Sequence, residues 1–90
     1  MNKYLITYDL ANKQIKSYEN LYTALKSLGP WWHYLDSTWI IKTNINSKDI
    51  WNNLKDHINT NNDRILITKI SDGDREGWLT KDAWDWLNQN

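Results

Sequence analysis

Cysteine and phenylalanine are absent, proline and methionine occur once each, and glycine occurs three times in 90 residues. Without cysteine there is no disulfide framework, no thiol nucleophile and no thiolate metal site. So little glycine and proline leaves no room for a collagen-like or linker-like segment. Net charge is missing as well: eleven acidic and eleven basic side chains cancel. That balance excludes a polyelectrolyte tail and a generally basic nucleic-acid binder, so any contact with nucleic acid has to be local. No apolar run exceeds about three residues, where a membrane helix needs about 20. No membrane partner is expected. The polar start Met1-Asn2-Lys3 opens straight into a strand-like stretch rather than a leader, which points to a cytoplasmic protein. No G-x-S-x-G turn and no phosphate loop is present, and His33 and His57 have no ligand spacing with each other or with an acid pair.

What is abundant is tryptophan, with seven copies beside five tyrosines. Both side chains join a large apolar body to a polar handle, which suits core margins and interfaces. The length supports one domain spanning residues 1–90. A domain of this size buries only roughly 60–65% of its unfolded surface, so association with a second copy is expected.

Periodicity supplies the order of elements. Lys3 to Leu10 alternates Tyr4, Ile6 and Tyr8 with Leu5 and Thr7, the period of a strand, and Asp9 stands at its end. Ser17 then predicts a helix cap. Tyr18, Leu21, Tyr22, Leu25 and Leu28 form one apolar stripe, and Gly29-Pro30 stops the helix. Trp31 to Leu35 and Thr38 to Thr43 flank Asp36-Ser37 as a β-hairpin. Ser47 is placed to cap a second helix whose apolar face is Ile50, Leu54 and Ile58, with Trp51 beside them. Arg64 to Ile70 reads as a buried strand, and Thr80 caps a terminal helix carrying Ala83, Trp84 and Leu87, with Trp86 on another flank. The pattern is β-α-β-β-α-β with an added C-terminal helix, an α+β fold of ferredoxin-like type. Its right-handed crossovers put the first and third strands in the centre. One sheet face is then left open unless the terminal helix or a second copy covers it, and a homodimer is the expectation.

The opening Tyr4-Leu5-Ile6-Thr7-Tyr8-Asp9-Leu10 resembles the first strand of the CRISPR-associated protein two family and of the virulence-associated protein D ribonucleases. The hairpin Trp31-Trp32-His33-Tyr34-Leu35-Asp36-Ser37-Thr38-Trp39-Ile40 and the ending Ala83-Trp84-Asp85-Trp86-Leu87 look like a group of short bacterial and phage proteins labelled SinR-like, of unsettled function. The resemblance implies a ferredoxin-like dimer in a prokaryotic or phage defence or toxin setting. It also implies that Asp9 helps hold a divalent metal across the dimer, as in a metal-dependent endoribonuclease. Those families place an Arg soon after the Asp, whereas here Lys13 and Lys16 follow and no Arg precedes Arg64.

The residues themselves keep two functions open. A carboxylate at a strand end near a molecular two-fold can pair with its symmetry mate and bind Mg²⁺, or it can simply end the strand and start a turn. Lys3, Lys13, Lys16 and Lys42 are the candidate phosphate contacts for RNA or DNA. Trp31, Trp32, Tyr34, Trp39, Trp84 and Trp86 are the candidate interface, whether for bases, a second copy or a protein partner. On the second reading the chain is a noncatalytic interaction module. Strand alternation puts Trp32 and Tyr34 on one side of the hairpin and Trp31 and His33 on the other. Asp72-Gly73-Asp74-Arg75-Glu76-Gly77 opens like a calcium loop, but Ala83 stands where the bidentate Glu belongs, so a solvated acidic turn is expected.

Overall fold

The alternation in the first strand becomes a central strand of the sheet. A computed structural model describes residues 1–11 and 17–89. It has β1 (Asn2–Asp9), α1 (Ser17–Ser27), β2 (Trp31–Leu35), β3 (Thr38–Thr43), α2 (Ser47–Leu54), a 3₁₀ turn (Lys55–His57), β4 (Arg64–Ile70) and α3 (Lys81–Asn88). The four strands form one antiparallel sheet in the order β2-β3-β1-β4. Among the described residues this is a small α+β fold with three helices. The polar segment after Ala11, with Lys13 and Lys16, lies outside the described residues.

Each face of β1 feeds a different core. Tyr4, Ile6 and Tyr8 point toward the layer of α1 and α2, where they join Tyr18, Leu21, Leu25, Trp39, Ile41, Ile50 and Leu54. Each fully buried Leu or Ile here contributes roughly 1.5–3 kcal/mol of transfer free energy, which makes this layer the main source of stability. Inside it the Trp39 indole N–H donates to the Tyr8 hydroxyl at 2.9 Å. Burial pushes the Tyr8 phenol far above its ordinary range, against the opposing effect of that hydrogen bond. The ring is therefore a neutral structural group.

The opposite face carries Lys3, Leu5, Thr7 and Asp9. Over its first half lies α3, which packs Ala83 and Leu87 on Trp32 and Ile40, with Leu5, Ile70, Leu79, Trp84 and Trp86 around them. The terminal helix, not a second copy, covers this half. Thr80 caps α3 by accepting from the Ala83 amide at 3.4 Å. No basic residue stands in the last turn of α3, and its C-terminal carbonyls borrow cations from elsewhere. Lys3 Nζ and Arg75 both donate to the Leu87 carbonyl, at 3.3 and 2.8 Å, where positive charge suits the helix dipole. The Trp32 indole N–H adds a bond to the Ala83 carbonyl at 3.1 Å. Trp32→Phe should lower global stability by about 1–2 kcal/mol through a lost buried hydrogen bond and a small cavity. Its larger signature should be faster amide hydrogen exchange in α3 than in α1. Equal acceleration in both helices would contradict a local role.

Three sequence expectations change. Asn46, one residue earlier than expected, caps α2 by accepting from the Asp49 amide at 2.9 Å. The second helix ends at Leu54 and tightens into the 3₁₀ turn, so Ile58 reaches the core from extended backbone. β4 takes the edge position that the strand order implies, but it has no fully buried residue where Arg64 to Ile70 reads as a buried strand, because β1 is its one neighbour.

Candidate functional site at the uncovered end of the sheet

α3 stops short of the second half of its sheet face. The cross-strand register brings Leu35, Thr38, Thr7 and Leu66 into one row across all four strands there, and the next row pairs Asp9 with Arg64. Leu66 is 59% exposed, and Tyr34 and Leu35 are about half exposed. The register of β2 against β3 shifts by one residue between Trp32 and Leu35, a bulge that sets two residues of β2 against one of β3. Tyr34 and Leu35 consequently face the same cleft, beside Trp78, Leu79 and Thr80. At the centre of the row the Thr7 and Thr38 hydroxyls lie 3.2 Å apart, and Thr7 also bonds the Ser37 carbonyl.

Asp9 is exposed at the end of β1, and it lines a shallow depression with Thr7, Tyr8, Arg64, Ile65 and Leu66. Among the described residues it has no ion-pair partner. Arg64 is the residue sequence reading missed. It stands 55 positions later in the chain, and only the β1–β4 register makes it the neighbour of Asp9. One of its nitrogens donates to the Asp63 carbonyl at 2.8 Å, which leaves most of the guanidinium fork free. The adjacent strand thus sets a basic residue beside Asp9 in the register, without an ion pair between the two among the described residues.

Behind Arg64 sits an anchor. Asp63 is 3% exposed and accepts from the Ala11 amide at 2.8 Å, the Tyr18 hydroxyl at 2.7 Å and the Asn59 amide at 3.0 Å. Burial alone would raise its pKa. The three hydrogen bonds and the Arg64 charge outweigh burial and hold the carboxyl below its usual range. The end of β1, the start of α1 and the start of β4 are tied to one carboxylate.

The remaining candidates fall apart spatially. Trp32 and Trp39 are 2% and 1% exposed, so their ring surfaces are used up inside the protomer and neither is left for an interface. Trp39 stacks on His33 at 3.9 Å between ring centres and meets Trp31 at 5.4 Å, on the helix side of the sheet. Tyr34 instead meets Trp32 on the other side, so the alternation separates the rings in two sets. Trp31 is partly exposed under Lys26, while Trp84 and Trp86 are half-buried around α3. Trp78, which periodicity did not single out, is fully exposed. Lys3 is no free phosphate contact: its ammonium lies buried against Asp72 at 2.7 Å and the Leu87 carbonyl. Lys42 lies over the Trp86 ring. Both lysines sit at the opposite end of β1 from Asp9. Asp72 is correspondingly an ion-paired residue and not merely part of a solvated acidic turn.

As a metal site, Asp9 offers one hard oxygen donor, the right chemistry for magnesium. Among the described residues no group of three or more His, Asp or Glu side chains converges, so Asp9 stands there as a single donor. Among the described residues no helix is long and apolar enough to cross a membrane.

The chain is similar in structure to a hypothetical protein, TT1823, from Thermus thermophilus, with a TM-score of 0.66 and 16% sequence identity. The match covers 88% of this chain and 94% of that one, and at such identity it speaks for a shared fold alone. No protein-family model matches the chain, and no curated protein matches it significantly.

Proposed function

We propose that the chain is a ferredoxin-like homodimer that acts on nucleic acid, as a metal-dependent endoribonuclease of a prokaryotic or phage defence or toxin setting. The observation that carries this reading is the pairing of an exposed Asp9 with Arg64 on the part of the sheet that α3 leaves open. Asp9 of each copy would hold Mg²⁺ between them. The ion, when bound, supplies Lewis acidity and a water activated for attack on phosphorus. Arg64 offers the planar fork that matches a phosphate bidentately, which neither Lys13 nor Lys16 can do. Asp63, fixed by its three donors, sets where β4 begins and so positions Arg64.

The fully exposed Trp78, next to Tyr34 and Leu35, favours a second reading as a noncatalytic module that binds another protein. The two separate on one assay. The purified protein, Asp9→Ala and Asp9→Asn are incubated with labelled single-stranded RNA and duplex DNA, with Mg²⁺, with Mn²⁺ and with chelator. The expected result is RNA cleavage that requires metal and falls roughly a hundredfold or more in both variants, at unchanged folding. Light scattering should give the mass of a dimer. No cleavage in any condition by a folded protein would reject the enzyme and leave the module.

A further inference from the structure

Asp72-Gly73 is the one place in the chain where an Asp or Asn precedes a Gly. Glycine matters there for a chemical reason: with no Cβ in the way, its backbone nitrogen can swing onto the side-chain carbon of the preceding Asp and close a succinimide ring. The surroundings leave the reacting groups free. The chain from 71 to 80 has no regular secondary structure. Gly73 has φ of +139°, and a Cβ built on it meets no neighbouring atom. Among the described residues its amide donates no hydrogen bond, so the nitrogen is not held in place. The Asp72 side chain is 67% exposed; Lys3 and Arg75 both approach its Oδ1, at 2.7 and 3.8 Å, and Oδ2 has no partner among the described residues. Yet Asp72 carries more of the fold than an exposed loop residue ordinarily does. Lys3 Nζ is held between this carboxylate and the Leu87 carbonyl, and Arg75 reaches the same carbonyl and Asn88 Oδ1 at 2.8 and 3.3 Å. The two cations that grip the end of α3 share Asp72 as their counter-ion.

We propose that Asp72-Gly73 is a site of spontaneous isoaspartate formation, braked by Lys3, whose product loosens α3 from the sheet. In the first step the Gly73 nitrogen attacks Asp72 Cγ. The new C–N bond forms, the Cγ–Oδ2 bond breaks, and one water leaves, made of the carboxyl O–H and the amide proton. In the second step a water adds to either carbonyl of the imide and breaks its bond to nitrogen. One direction restores Asp72; the other leaves an isoaspartate, whose main chain runs through Cβ and Cγ and whose carboxylate hangs from Cα. No oxidant or cofactor enters. The carboxyl has to be protonated for its oxygen to leave as water, and Lys3 first, then Arg75 and Lys42, hold it ionised and below its usual range. Conversion lengthens the main chain by a carbon and draws the carboxylate away from the Oδ1 position. Lys3, whose side chain is buried, then lacks the counter-ion that offset its burial. Neither Asp9 nor Arg64 takes part, so the assignment stands whether or not Asp9 is catalytic.

The test is to hold the protein in mildly acidic buffer at physiological temperature and follow isoaspartate by enzymatic methyl transfer from labelled S-adenosylmethionine, locating it by peptide mass spectrometry. Asp72 should convert at least about tenfold faster than Asp36, whose neighbour Ser37 carries a Cβ. Gly73→Ala should remove that excess. Lys3→Gln should speed conversion at Asp72 several-fold and leave Asp36 unchanged, a selectivity that general loosening of the fold cannot produce. Raised salt, which weakens the ion pair without a substitution, should act in the same direction on the wild type. In the converted protein, separated by ion exchange, amide hydrogen exchange should be faster in α3 and unchanged in α1. Conversion of Asp72 no faster than that of Asp36, an unchanged rate at Asp72 in both folded Lys3→Gln and high salt, or undisturbed exchange of α3 in the converted protein would overturn the inference.

Discussion

Asp63→Ala should lower the unfolding free energy by about 3 kcal/mol, because one buried and two partly buried donors lose their acceptor and each costs roughly 1 kcal/mol or more to leave unpaired. Against a total of about 5–13 kcal/mol expected for a 90-residue domain, that is a large fraction. The donors come from three separate stretches of chain, the Ala11 amide, the Tyr18 hydroxyl and the Asn59 amide. Loss should therefore be global rather than confined to the loop before β4. Urea denaturation followed by tryptophan fluorescence measures it, and a change below about 1 kcal/mol would mean that water replaces the carboxylate readily. The same residue sets a pH dependence. Its carboxyl is held below the usual range in the folded protein. The stability it contributes is therefore fully present above the unfolded value of about 3.9, and it disappears as pH falls through the lower folded value. Stability curves of the wild type and Asp63→Asn should run parallel above about pH 5 and converge in acid. Parallel curves down to pH 2 would contradict this assignment.

Gly29→Ala should be at least as damaging, at about 3 kcal/mol or more, for two separable reasons. Gly29 has φ of +153°, a conformation that side chains with a Cβ resist. A Cβ built there would also be driven into the Lys42 carbonyl oxygen, a backbone atom that cannot swing aside. The turn is held against β3 by the Lys42 amide, which donates to the Pro30 carbonyl at 2.9 Å. Gly73 provides the control, with φ of +139° and nothing near a built Cβ. Gly73→Ala should cost only about 1–2 kcal/mol, the conformational part alone. Equal losses at the two positions would show that the approach to Lys42 is not what matters at Gly29.

The element order could be read from the sequence because local chemistry and long-range packing agree over most of the chain. Tyr4, Ile6 and Tyr8 alternate because one face of β1 meets two helices. The stripe from Tyr18 to Leu28 has a matching apolar layer beneath it, and Gly29-Pro30 ends α1 for reasons visible in any two-residue window. What failed to show was whatever depends on register between distant segments. Lys3 reads as a surface charge until α3 brings the Leu87 carbonyl against it from 84 residues later in the chain. Arg64 reads as the start of a strand, and only the β1–β4 pairing makes it the neighbour of Asp9. Asp63 ends a run of Thr and Asn, and nothing nearby in sequence announces three donors converging on it. The tryptophans show a third kind of limit. Alternation separated the hairpin rings into two sets, yet it did not tell that α3 would cover Trp32 or that the Tyr8 hydroxyl would claim the indole of Trp39.

The bulge in β2 also governs how the protein can meet its neighbours. An edge strand with regular pairing is a template on which another chain can continue the sheet, and this sheet has two edges, β2 and β4. At β2 the extra residue between Trp32 and Leu35 breaks the even spacing of free amides and carbonyls that an incoming strand would need. At β4 the exposed cations Arg64 and Lys69 stand near its two ends and repel a like edge. Growth by adding strands is therefore blocked on both sides, and contacts between folded molecules are directed to the faces and loops instead of toward open-ended polymer.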